Sequence, residues 1–217
     1  MIPLKLTTNE NSSLKILCLG AHSDDIEIGC GGTILKLLQQ FRETEITWIV
    51  LSGNSKREIE ARKSGEHFLE NAKNFVIITK NFKDAYFPYT GEQIKDYFEE
   101  IKQMVSPDLI FTHYRYDLHQ DHRLVCELTW NTFRNHLILE YEVVKYDGDL
   151  GAPNCFFHLD EEICKRKISY ILNCFGTQGS RCWFTEDVFF AILRLRGLES
   201  NSPSLYSEGF YCRKMIL

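Results

Sequence analysis

The chain has 217 residues, 44% of them hydrophobic and 25% charged, with a net charge of −5 at neutral pH. That length suits one domain of ordinary size, and that hydrophobic share suits a full core. No basic block argues for a nucleic-acid partner, and no apolar stretch reaches the roughly 18 residues a membrane span needs.

The segment 1–13 is polar and lacks the apolar centre of a signal peptide, so a cytoplasmic protein is expected. Strands are predicted at 14–19, 46–51, 74–78, 108–112 and 140–145. Helices are predicted at 27–41, 55–71, 92–105 and 121–133, where apolar residues recur at i, i+3 and i+4. Pro107 ends the third helix just before a strand. This alternation implies βαβ units, hence a mainly parallel sheet with helices on both faces, a Rossmann-like three-layer α/β sandwich. Beyond residue 148 the character changes. Residues 147–154 read as a loop, 160–175 and 185–198 as helices, and 206–215 as a strand or an extended arm. With no internal repeat, 1–217 reads as a single domain, and its last third, 148–217, exceeds what the sheet needs and is expected to cover the mouth of a site.

The eight cysteines include no C-x-x-C pair, and most lie in apolar segments. They read as reduced core residues rather than a disulfide framework.

Two loops carry the chemistry. Ala21-His22-Ser23-Asp24-Asp25-Ile26-Glu27 follows the first strand, and His113-Tyr114-Arg115-Tyr116-Asp117-Leu118-His119-Gln120-Asp121-His122 follows the fourth. In the doubly wound order 3-2-1-4-5, strands one and four are neighbours, and a crevice opens at their carboxyl ends. The plain reading of the first loop is a capping box, Asp24 with Glu27, which leaves His22 and Asp25 unexplained. Gly29, Gly31 and Gly32 do not follow the dinucleotide-binding spacing and suit a helix packed close to the sheet or to a ligand. The plain reading of the second loop is a polar turn with Asp121 as a cap. Imidazoles and carboxylates from both loops at one crevice favour a metal with an open position, and these donors suit Zn²⁺. A metal phosphoesterase with two ions would draw on His113 and Asp117 as extra ligands. A non-catalytic metal or sugar binder is the third reading.

Residues 21–27 resemble the A-H-P-D-D-x-E signature of the LmbE/PIG-L de-N-acetylases, and His119-Gln120-Asp121-His122 resembles that family's H-x-D-H motif. Arg57, Glu60, Ser64 and Gly65 are similar to its R-x-x-E helix, and the resemblance spans about 14–135. Ser23 departs from it, standing where the family has Pro. The resemblance implies one zinc per chain, with His22, Asp25 and His122 as ligands. It implies Asp24 as general base, His119 as the group that stabilises the oxyanion or protonates the leaving group, and Asp121 as the residue that orients His119. It further implies Arg57 and Asp84 at the substrate, an N-acetylglucosamine-type conjugate, and hydrolysis of the N-acetyl group. An acylated substrate other than a sugar is the alternative. Self-association into a homo-oligomer is compatible with this reading. Trp183, Phe184, Arg194 and Arg196 read first as core and surface residues, and second as a sugar-stacking wall.

Overall fold

The structure, a computed structural model, describes Leu4, Leu6 and residues 13–216. The polar segment behind the cytoplasmic expectation lies almost wholly outside the described residues. Five strands, β1 (Leu14–Gly20), β2 (Thr44–Val50), β3 (Asn74–Thr79), β4 (Leu109–His113) and β5 (Leu137–Tyr141), pair in parallel. The helices α1 (Asp25–Gln40), α2 (Ser55–Leu69), α3 (Gly91–Met104) and α4 (Gln120–Thr132) follow the first four strands in turn. After β5 come β6 (Cys155–Leu159), α5 (Glu161–Cys174), α6 (Glu186–Glu199) and β7 (Tyr206–Cys212). All seven strands form one sheet in the order β3-β2-β1-β4-β5-β7-β6, with β7 antiparallel to both its neighbours.

β1 shows why a parallel sheet results. Six of its seven residues are buried, as expected for a strand covered on both faces. Ile16 and Cys18 point into the core under α1, α2 and α5 with Trp48, Phe68 and Phe111. Leu17 and Leu19 point the other way, to Phe98, Ile101 and Val125 of α3 and α4. The expected Rossmann-like three-layer sandwich therefore stands, with the order 3-2-1-4-5 at its centre. Among the described residues no helix is long and apolar enough to cross a membrane.

The α1 glycines serve packing. A β-carbon on Gly29 would stand 2.1 Å from the ring of Tyr141 on β5, and one on Gly31 would stand 2.6 Å from Phe68 of α2. Gly32 lies against Leu159 and Glu208. A buried ion pair completes this seam. Lys167 Nζ on α5 donates to Ile28 O at 2.7 Å and to Glu208 Oε1 at 2.6 Å, and Glu208 accepts the Gly32 and Thr33 backbone N–H groups of α1.

Two expectations need correction. The fifth strand is Leu137–Tyr141, not 140–145, because Leu137–Leu139 pair with Leu109–Phe111 of β4. Glu142 turns away to Arg196 of α6, at 2.8 and 2.9 Å. β6 was not expected at all. The 206–215 segment is a strand as far as Cys212.

Candidate active site

Parallel pairing of Cys18 with Phe111 brings the carboxyl ends of β1 and β4 together. The loop after Gly20 carries His22 to Asp24 and enters α1 at Asp25. The loop after His113 carries Asp117 to His119 and enters α4 at Gln120. His22 Nδ1 lies 3.1 Å from His122 Nε2 and 3.4 Å from Asp25 Oδ2, and His122 Nε2 lies 3.4 Å from Asp25 Oδ1. Zinc bonds of about 2.0–2.2 Å in a tetrahedron set ligand atoms roughly 3.3–3.6 Å apart, so these donors have the right chemistry and nearly the right spacing. Neighbouring donors overlap with them. His119 groups with His22 and His122, Asp84, His119 and Asp121 group with His22, and His113 groups with Asp25 and His122.

The outer partners select which nitrogen faces inward. His122 Nδ1 meets Asp117 Oδ2 at 2.9 Å, which leaves Nε2 as the inward lone pair. His22 Nε2 meets Asp84 Oδ1 at 3.0 Å and Asp121 Oδ2 at 3.2 Å, which leaves Nδ1 inward. Burial disfavours a charged His22, but the charge of Asp25 and the hydrogen bonds His22 donates to Asp121, Asp25 and Asp84 outweigh it and raise its pKa well above the ordinary value. Burial would likewise raise Asp25, yet His122, His113 and His22 hold it well below the carboxylate range. These surroundings favour positive charge between the two loops, which a proton or a metal ion can supply.

Asp121 is placed differently from the expectation. Its carboxylate accepts the N–H groups of Ala85 at 2.7 Å and Phe87 at 3.1 Å, besides meeting His22. Its hydrogen bond to His119 runs from the Asp121 backbone N–H to His119 Nδ1, at 3.2 Å. A neutral His119 therefore carries its proton on Nε2. Burial, then the neighbouring His122 and His22, lower the His119 pKa, so the neutral ring is favoured over the protonated one.

Asp24 stands at the start of α1, yet its side chain makes no capping bond, and neither oxygen of the fully buried Glu27 has a hydrogen-bond partner. The capping box does not form. Instead Asp24 Oδ1 accepts from Arg57 Nη2 at 2.8 Å, and Ser23 Oγ accepts from Arg57 Nε at 2.9 Å. Burial raises the Asp24 pKa, while the Arg57 guanidinium pulls the other way. Arg57 is delivered by α2, whose Asn54 side chain accepts the Lys56 and Arg57 N–H groups. Asp84 is 72% exposed and reaches the site from the β3–α3 connection.

Two residues, Lys145 and Asp149, were missed by sequence reasoning, and two more, Asp117 and His113, were named only as extra ligands for a second metal ion. Asp117 orients His122 with Oδ2 and accepts the His119 N–H with Oδ1, at 2.7 Å. Its position five residues before His122 was the available signal. Lys145, from the loop after β5, lies 3.0 Å from Asp117 Oδ2, and Asp149 Oδ2 accepts the Leu118 N–H at 2.7 Å. His113 Nε2 lies 3.2 Å from Asp25 but also meets the Ala21 N–H at 2.9 Å and the Tyr141 hydroxyl at 3.2 Å. Burial lowers its pKa to about 4, so it is neutral. Phe184 and Arg196 are buried, Arg196 against Glu142, and Arg194 donates to Leu205 O. These three serve the fold.

Comparison with known proteins agrees with the motifs. Residues 17–133, more than half of the chain, match the family described as PIG-L, GlcNAc-PI de-N-acetylase. The chain is similar to the uncharacterized deacetylase YaiS of Escherichia coli K12, with 30% identity over 146 residues, covering 63% of this chain and 78% of that protein. It is similar to the diacetylchitobiose deacetylase of Thermococcus kodakarensis, with 28% identity over 138 residues, covering 56% of this chain and 50% of that protein. In three dimensions it resembles the N,N'-diacetylchitobiose deacetylase of Pyrococcus horikoshii, with a TM-score of 0.69 and 22% identity over 92% of this chain and 83% of that one. By its motifs and by the match over residues 17–133, the chain belongs to the PIG-L deacetylase family.

Proposed function

We propose that the protein hydrolyses the N-acetyl group of an N-acetylglucosamine-type conjugate, with one zinc ion held by His22, Asp25 and His122. The observation that carries this reading is the convergence of those three donors within 3.4 Å, beside the buried Asp24, whose Oδ1 is held by Arg57. Zinc, when bound, lowers the pKa of a water molecule and polarises an amide carbonyl. The proton favoured on His22 in the acidic surround would give way to the ion, since a ligating imidazole must be neutral.

Asp24 then acts as the general base that takes the proton from the attacking water. His119, neutral and carrying its proton on Nε2, donates that N–H towards the amide oxygen as negative charge develops there. The amine must leave protonated, and Asp24, having gained a proton, is the group that returns it. Asp121 contributes through His22 and through the Ala85–Phe87 backbone. Asp84, with its exposed carboxylate, and Arg57, with the guanidinium N–H groups not engaged by Ser23, Asp24 and Thr177, are the candidates for holding substrate hydroxyls.

The test is a panel of N-acetylglucosamine conjugates incubated with zinc-loaded protein, scored for acetate release. Activity is expected on conjugates with a sizeable aglycone ahead of the free sugar, because remote contacts orient the amide. No acetate from any member, with zinc bound, would favour the non-catalytic reading or a substrate other than a sugar. Two bridged metal ions per chain would favour a phosphoesterase.

A further inference from the structure

We propose that Ser23 is a positioning residue for the Asp24 carboxylate, acting through Arg57, and this rests on the deacetylase reading. Arg57 presents its donors in a rigid plane. Its Nε–H and Nη2–H groups lie on one edge of that plane, and that edge meets Ser23 Oγ at 2.9 Å and Asp24 Oδ1 at 2.8 Å. Two adjacent residues therefore present two oxygens to one guanidinium edge, much as the two oxygens of a single carboxylate do.

The opposite side of the same guanidinium is held too. Nη1 reaches Thr177 Oγ1 at 3.4 Å, and Thr177 donates its N–H to Glu60 Oε1 at 2.8 Å and its hydroxyl to Glu60 Oε2 at 2.6 Å. Glu60 lies on α2, three residues after Arg57. The segment after α5 is thus tied to α2 beside the site, and Arg57 sits between that tie and the first loop.

Ser23 is fully buried, so its hydroxyl has little solvent to turn to. Without that hydroxyl, Arg57 would hold Asp24 at one point, with only the longer 3.4 Å contact to Thr177 opposing a pivot about it. With it, Asp24 Oδ1 is fixed on the Arg57 side and Oδ2 is left outside the fork, free to receive the proton of the attacking water. The same geometry limits what Arg57 can offer a substrate, because one edge is already engaged.

Ser23→Ala removes the hydroxyl and little volume. We expect kcat on an N-acetylglucosamine conjugate to fall about ten-fold, the rate equivalent of one hydrogen bond to a charged group. Zinc content should stay within about two-fold of wild type, since no ligand changes, and the loss should fall mainly on kcat rather than on KM. Ser23→Thr, which keeps the hydroxyl, should recover most of the rate. In isotope-labelled protein, the nuclear magnetic resonance signal of Arg57 Nε–H, assigned by its loss in Arg57→Lys, should exchange faster with solvent in Ser23→Ala than in Ser23→Thr. A purely structural part for Ser23 would lower stability without moving that signal. Should Ser23→Ala fail to fold, the near-isosteric Ser23→Cys, whose sulfur accepts weakly, takes its place. An unchanged kcat or an unchanged Arg57 signal in the hydroxyl-less variant overturns the proposal. If wild-type protein releases no acetate from any conjugate, the functional reading falls, while the Arg57 signal still decides whether the fork exists.

Discussion

Asp117 Oδ2 lies 2.9 Å from His122 Nδ1 and turns the other nitrogen of that ring towards His22 and Asp25. Asp117 is almost fully buried and shares this oxygen with Lys145. It therefore supports the proposed centre without standing in it. Asp117→Asn keeps the shape and removes the charge, so zinc affinity is expected to weaken by about 10–100-fold, the usual effect of losing a ligand's outer partner. Competition with a chromophoric chelator measures it. Wild-type affinity in the variant would show that His122 needs no such support.

His22→Ala and His122→Ala each remove one of the three proposed ligands, one from each loop. Two remaining protein ligands make a poor zinc site, so both variants should be purified with little metal. Elemental analysis of protein that retains the circular dichroism of wild type decides this. Full zinc content in either variant would shift the ligand set towards the overlapping donors, His119 or His113.

Asp24→Asn tests the proposed base. Asparagine keeps the size and can still accept from Arg57 Nη2, but it cannot take a proton at neutral pH. Acetate release should fall by about 10²–10⁴-fold, the range of general-base assistance, while zinc content stays at wild type. A rate near wild type would leave Asp24 as no more than the anionic partner of Arg57.

The parts of this molecule legible in the sequence are those with short-range signals. The first four strand–helix units show as apolar runs followed by helical spacing, and the order of their strands follows from a packing rule. The fifth strand was misplaced because 137–145 is one long, mostly apolar run. Which residues of it pair with β4 depends on Glu142 being drawn to Arg196, 54 residues further on. β6 is five residues long and pairs with β7 across more than 40 residues of intervening chain, so no local pattern marks it. The site divides in the same way. The two loops stand out by their clustered imidazoles and carboxylates, and the resemblance of their motifs implies His22, Asp25 and His122 as the ligands. The tie from Lys145 to Asp117, the engagement of Arg57 by Ser23, and the link of Asp121 to His22 instead of the His119 ring are set by side chains that meet only after folding.

The seam between α1 and the sheet makes a prediction about stability that is independent of chemistry at the site. Lys167 and Glu208 are both nearly fully buried, at 2% and 3% exposure, and lie 2.6 Å apart. Lys167→Met leaves the Glu208 carboxylate with the Gly32 and Thr33 N–H groups but no counter-charge. Removing one member of a buried pair typically costs about 3–5 kcal/mol, and that loss is expected in urea unfolding of the variant. Lys167→Met combined with Glu208→Gln removes both charges and keeps an oxygen for one of the two N–H groups. The double variant should therefore be less destabilised than the sum of the two single ones, because they share one interaction. A Lys167→Met variant within about 1 kcal/mol of wild type would mean that the backbone of α1 alone satisfies Glu208, and that the lysine is there for its aliphatic stem.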